Sequence, residues 1–262
     1  MTSARHDQST AELRDLLQAG LSILSRNTAC RSTQRIGPLS CAIASNSGAL
    51  HHTLTRCLLP GGDGHDLAIG LLSGSQPPFR TPPPWNVPHT HARHLERLHI
   101  AADGALTAAF NPDFGHWMIL DHHRREGLMW IADESLLPSW EQGSPFKTMI
   151  NWFIAPSPLL MVHAGAVGTA AGGCLLVGQG GSGKSTTVAA CFARGMPVCG
   201  DDLILVSEGD GGYRAWGLYD SLKYDPESSI VLPGALTSAP FAMSAAKRLI
   251  RYSDVRADGL AR

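Results

Sequence analysis

Residues Gly178 to Thr186 read GQGGSGKST and fit G-x-x-x-x-G-K-[ST], the pattern of a phosphate-binding loop. The chemistry this implies is the holding of a polyphosphate. Gly178, Gly180, Gly181 and Gly183 allow tight turns, some with positive φ, so that backbone N–H groups converge on an anion. Gln179 and Ser182 complete the loop. Lys184 is placed to reach the β and γ phosphates of ATP, and the Ser185 hydroxyl, followed by Thr186, is placed to ligate Mg²⁺. The loop needs a strand before it and a helix after it. The apolar run Cys174 to Val177 and a helical stretch from about Lys184 to Arg194 supply both, and the helix dipole points its positive end at the same place.

Phosphoryl transfer also needs a metal and a group that orients or deprotonates the nucleophile. Asp201 and Asp202 follow the short strand Val198-Cys199 and Gly200, where Mg²⁺ and the γ-phosphate of a loop-bound nucleotide would meet. Adjacent like charges raise one another's pKa, so one of the pair is expected to be tuned toward neutral pH as a base. The plainer reading is a polar turn between strands. His163, at the end of the apolar run Leu159 to Val162, reads by itself as a hydrogen-bonded core histidine. His89, His91, His94 and His99, with His51-His52 and His122-His123, invite a metal. Their intervals are not those of a helical i, i+4 pair, and Arg93 and Arg97 would repel a cation. A polar surface strand is the expectation there.

Several elements must position these groups. Ser9-Thr10-Ala11-Glu12 is a capping-box pattern, and Leu13, Leu16, Leu17, Leu21 and Leu24 follow at helical spacing, which predicts an amphipathic opening helix. Cys41 to Ala44 and Leu67 to Leu72 read as short strands. The proline-rich stretch Gln76 to Pro88 reads as an extended connector. Two hairpins are expected, Leu98–Ala102 with Leu106–Phe110 around the two-residue turn Asp103-Gly104, and His116–Asp121 with Leu128–Ala132 around a polar turn ending in Gly127. Together they predict a small antiparallel sheet. Ser144-Pro145 reads as the cap and first residue of a helix with Phe146, Met149, Ile150 and Phe153 on its apolar face and Pro156 beyond its end. Strands at Leu159 to Val167, Cys174 to Val177, Val198-Cys199 and Leu203 to Val206, with a helix closed by Gly195, give the opening of a P-loop α/β domain.

Composition narrows the function classes. A net charge of −1 leaves no global basic footprint, so nucleic acid is not an expected partner. Leu159 to Val177 is nearly uncharged but is broken by Gly165, Gly168, Gly172 and Gly173, so two strands around a turn describe it better than a membrane span. The N-terminus carries no continuous apolar run of a signal peptide. The six cysteines form no C-x-x-C pair, which argues against a zinc ribbon or disulfide scaffold and fits a reducing cytoplasm; Cys174, Cys191 and Cys199 are expected to sit in core elements.

From His163 to Asp202 the chain reads HAGAVGTAAGGCLLVGQGGSGKSTTVAACFARGMPVCGDD. A histidine on a strand, a turn, a strand, G-x-x-G-x-G-K-S, a helix ending in Arg-Gly and a strand into Asp-Asp follow one another without a gap. This stretch resembles the catalytic domain of HPr serine kinase/phosphorylase and its HPr kinase-like relatives. The later WGLYDSLKYDP, with GLMWIAD and LPSWEQGSPFKTMINWF, is more similar to the HPr kinase-like enzymes of peptide-modification clusters, including the lasso-peptide type. The resemblance implies a serine kinase using ATP and Mg²⁺ on a small protein or peptide. It places His163 and Lys184 at the phosphate, Ser185 at the metal with Asp201 in support, and Asp202 as proton acceptor from the substrate serine. The fold class it implies is α/β, a P-loop HPr kinase-like domain over 144–262 preceded by a smaller strand-rich α+β domain over 1–143, for which the strand-rich pattern alone suggests substrate recruitment. It leaves oligomeric state open, a homo-oligomer being the family pattern. The family's later Glu-x-Arg-Gly signature has no counterpart, Glu208 and Glu227 standing in other contexts, and the chain ends soon after Ala246-Lys247-Arg248, which reads as a shortened domain. Phosphorylase activity therefore has no support. Two other readings stay open, a nucleotide-binding regulatory module without transfer and a small-molecule kinase.

Overall fold

The computed structural model describes residues 2–74, 99–102, 105–111, 115–169, 171–209, 211–224, 242–244 and 247–255. The connector Gln76 to Pro88, the turn Asp103-Gly104 and the histidines His89, His91 and His94 lie outside the described residues. The fold is a mixed α/β arrangement with several sheets.

Helix α1 runs Thr2–Arg26, so the Ser9 pattern lies inside it and does not start it. Leu13, Leu17 and Leu24 form its buried stripe, as their spacing predicts. Among the described residues the first sheet has eight strands: β1 Cys30–Ile36, β2 Leu39–Ser45, β3 Leu59–Pro60, β4 Leu67–Ser73, β5 His99–Ala102, β6 Leu106–Asn111, β7 His116–Asp121 and β8 Glu126–Ile131. Their order is β3-β1-β2-β4-β8-β7-β6-β5. It is larger than the expected antiparallel sheet and is mixed, because β4 runs parallel to both β2 and β8. Helix α2, Gly48–Thr55, capped by Ser47, lies between the parallel strands β2 and β4 in the chain and supplies part of their crossover.

Both faces of this sheet are covered, which is why β6 and β7 are buried at every position. Trp117, Ile119, Leu128 and Trp130 face α1. Met118, Leu120, Met129 and Ile131 face the other way, toward α2 and toward helix α4, Lys147–Ile154. Both strand pairs form, and the second hairpin has a different turn from the expected one. Ala102 pairs with Thr107, leaving residues 103–106 between them, and Asp121 pairs with Glu126, so Gly127 belongs to the strand.

The helix expected from Ser144 also starts differently. Ser144 closes a short helix α3, Ser139–Gly143, and α4 begins after Phe146, whose φ of 60° reverses the chain. Phe146, Met149 and Ile150 are buried as expected.

The second sheet holds β9 Leu160–Thr169, β10 Gly172–Val177, β11 Val198–Gly200, β12 Leu203–Gly209 and β13 Gly212–Gly217, all antiparallel where they pair. β9 and β10 form the hairpin expected of the uncharged stretch. Among the described residues no helix is long and apolar enough to cross a membrane. Helix α5, Lys184–Ala193, packs Val188, Ala189 and Phe192 on Val167 of β9 and on Leu222 of β14, Leu222–Tyr224. The largest apolar cluster runs from Ile36 and Ile43 through Phe146 and Met149 to Leu205, Leu218 and Tyr219, joining the first sheet to the second.

Gly217 lets β11 lie close against β13. A Cβ there would stand 1.9 Å from the Cys199 carbonyl oxygen, a backbone atom that cannot step aside. Gly217→Ala is expected to lower stability by about 1–3 kcal/mol, seen as a lower urea midpoint at unchanged slope. An unchanged midpoint would show that β11 is free to shift.

Candidate phosphate-transfer site

The hairpin β9–β10 delivers the chain into the glycine loop at Val177, and α5 leaves it at Lys184. Gly181 and Gly183 take positive φ, 81° and 87°, as the sequence reading requires of some loop glycines. Gly178 and Gly180 do not. No atom lies within 4 Å of where a Cβ would be at Gly180, Gly181 or Gly183, so the loop presents bare backbone to solvent. Lys184 Nζ donates to the carbonyl oxygens of Gly178 and Gln179, at 2.7 and 2.9 Å. The Ser182 N–H donates to Gln179 O. Ser185 and Thr186 occupy the first turn of α5, Ser185 half-buried and Thr186 exposed.

β11 places the two aspartates. Asp201 is buried; its Oδ2 accepts from the Lys223 backbone N–H at 3.1 Å, and Ser185 stands beside the same carboxyl. Asp201 Oδ1 is buried and has no hydrogen-bond partner among the described residues. Asp202 takes φ 82°, a left-handed conformation that costs a non-glycine residue about 1–3 kcal/mol unless its surroundings hold it. They do so at several points. Its carbonyl accepts from Ala164 N, its Oδ2 accepts from Lys223 Nζ at 2.6 Å and Ser144 Oγ at 3.1 Å, and its Oδ1 lies 3.3 Å from His163 Nε2. The His163 side chain is 57% exposed, so it is no core histidine. The pairing of Leu203 with His163 across β12 and β9 brings it there.

The structure therefore gathers His163, Asp201, Asp202, Lys184 and Ser185 around the start of α5. The electrostatics differ from the expectation of mutual repulsion. Burial raises Asp201, only partly offset by the Lys223 N–H and Ser185, and the neighbouring Asp202 charge adds less. Burial works on Asp202 as well, but the Lys223 ammonium, with Ser144 and His163, outweighs it and holds the carboxyl below its ordinary value. The aspartate tuned upward is the buried one.

Lys223 and Ser144 were not found by sequence reasoning. Lys223 lies on β14, and no local pattern separates it from any other surface lysine; Ser144 was read as a helix cap. Tyr219 Oη donates to Pro145 O at 2.8 Å and Ser221 Oγ donates to Gly143 O at 3.2 Å, fixing the link that carries Ser144.

Other expectations are corrected. Cys174, on the edge strand β10, and Cys199 are exposed and Cys191 is half-buried; the buried thiols are Cys41 and Cys57, both pushed up to about 12 by burial. His51 and His122 pair with the hydroxyls of Ser32 and Thr107. Among the described residues no group of three or more His, Cys, Asp and Glu side chains is placed to hold a metal. Compared with protein-family models and with curated proteins, the chain matches none.

Behind the site, Glu141 of α3 is buried with Oε2 lacking a hydrogen-bond partner among the described residues. Burial pushes its carboxyl up from 4.5 to about 7, with Lys147 and the Phe146 N–H pulling the other way. A raised carboxyl favours folding when protonated. That contribution is complete below the unfolded value and is lost as pH rises through the folded one. Glu141→Gln is expected to flatten the fall in stability between about pH 5 and pH 8, followed as urea midpoints. Equal pH slopes in both proteins would contradict it.

Proposed function

We propose that the protein is a P-loop kinase of the HPr kinase-like kind, transferring the γ-phosphate of ATP to a serine hydroxyl of a small protein or peptide. The observation that carries this is the juxtaposition of Ser185 with Asp201 at the start of α5, with Asp202 next in the chain and bonded toward His163. A loop alone would support only nucleotide binding. A second carboxylate at the metal-facing end of the loop helix supplies what transfer needs in addition.

The residues fit the absent groups. The uncovered loop backbone and the N-terminus of α5 suit the phosphates, and among the described residues Lys184 bonds to the loop's own carbonyls, which it would release. Mg²⁺ usually takes one or two carboxylates plus phosphate oxygens and keeps several waters, so a site with fewer than three protein ligands suits it. Ser185 and the unpartnered Asp201 Oδ1 would hold it. When bound, Mg²⁺ would neutralise charge on the transferring phosphate.

Asp202, held ionised by Lys223, would take the hydroxyl proton at neutral pH. A carboxylate is a weak base, and that suffices because phosphoryl transfer passes through a loose transition state in which the nucleophile is little activated. His163, exposed beside Oδ1, would face the transferring phosphate. The free thiols, two of them exposed, fit a reducing compartment. The first sheet, joined to the site through the link at Ser144, would present the acceptor.

With labelled ATP, Mg²⁺ and a candidate serine-bearing peptide, the wild type should yield phosphoserine. Lys184→Ala should lose about 10²–10³-fold in turnover and Asp202→Asn about 10²–10⁴-fold. Unchanged transfer by Asp202→Asn would remove its role. Stabilisation by ATP with no phosphorylated product would favour a regulatory module instead.

A further inference from the structure

The two oxygens of the Asp202 carboxylate have different company. Oδ2 accepts from the Lys223 ammonium and from the Ser144 hydroxyl. Oδ1 has His163 Nε2 at 3.3 Å, on the exposed side. The donors to Oδ2 reach it from separate parts of the chain, and each is anchored before it arrives. Lys223 is fixed by its own N–H on Asp201. Ser144 is fixed by Tyr219 and Ser221, which hold the carbonyls on either side of it. Lys223 therefore ties both aspartates at once, one through its backbone and one through its side chain.

We propose that Lys223 and Ser144 are positioning residues that clamp the Asp202 carboxylate through Oδ2 and reserve Oδ1 for the hydroxyl proton of the phosphate acceptor. The inference rests on the kinase reading above. In the step it serves, the acceptor oxygen bonds to the γ-phosphorus and the bond from that phosphorus to the β–γ bridging oxygen breaks. ADP departs, and the hydroxyl proton passes to Oδ1. A carboxylate without its clamp can turn about its own bond, and a misplacement of about 1 Å at a reacting centre costs about 10²-fold.

The test uses the full chain and ATP with Mg²⁺, water serving as acceptor and released inorganic phosphate as the signal, with ATP affinity measured by calorimetry. Lys223→Met should lower kcat by about 10²-fold and Ser144→Ala by about tenfold, with ATP affinity changed by less than about twofold if the clamp acts on geometry alone. Lys223→Arg should recover part of the loss, and adding Lys223→Met or Ser144→Ala to Asp202→Asn should cost nothing more. Wild-type kcat in Lys223→Met beside a dead Asp202→Asn overturns the clamp, as does a loss confined to ATP affinity. Should Lys223→Met not fold, Ser144→Ala decides, and an unchanged kcat overturns the proposal. A wild type that releases no phosphate to water leaves the kinase reading to the peptide assay above, and a fully active Asp202→Asn overturns that reading. The clamp is then decided by the crystal structure of Lys223→Met with Ser144→Ala. Asp202 turned away from His163 supports it, and Asp202 unmoved overturns it.

Discussion

Two adjacent carboxylates, both largely withdrawn from water, repel each other and each lose hydration, so the turn Asp201-Asp202 is costly unless donors meet it. The Lys223 residue meets most of that need, giving its N–H to one aspartate and its ammonium to the other. The placement of β14 on α5, and through it the third side of the site, follows from the same residue. Leu222 is buried against Val188 and Phe192, so the strand that carries Lys223 is held by the loop helix itself. Strain at Asp202 is tolerated because bonds converge on it from β9, β14 and the α3–α4 link.

That link explains why the two parts of the chain share one core. Ser144 belongs to the helices that cover the first sheet, yet it bonds to an aspartate of the second. Tyr219 and Ser221 return the connection in the other direction. A change in how α4 sits on β7 would therefore be felt at the Asp202 carboxylate.

Much of the scaffold was legible because its pattern is local. The short apolar runs at Cys41 to Ala44, Leu67 to Leu72 and His116 to Asp121 became strands, the leucine stripe became α1, and the glycine loop fell between a strand and a helix. What failed was set by distance. The capping pattern at Ser9 was overridden by a helix that begins earlier, and Ser144-Pro145 became a link because Phe146 reverses the chain. Parallel pairing of β4 with β2 and β8 depends on partners far along the chain and leaves no local mark. The aspartate pair was legible as two adjacent carboxylates after a short strand, but not which member is buried or what meets each, since Lys223 and Ser144 are ordinary in the sequence until the fold brings them together.

A crystal structure with a non-hydrolysable ATP analogue and Mg²⁺ tests the central claim most directly. The account predicts that Lys184 Nζ leaves the carbonyls of Gly178 and Gln179 for the β and γ phosphates, that the metal lies between Ser185 and Asp201, and that the terminal phosphate faces Asp202 Oδ1 and His163. A terminal phosphate bound away from Asp202, with Lys184 still on its loop carbonyls, would contradict it.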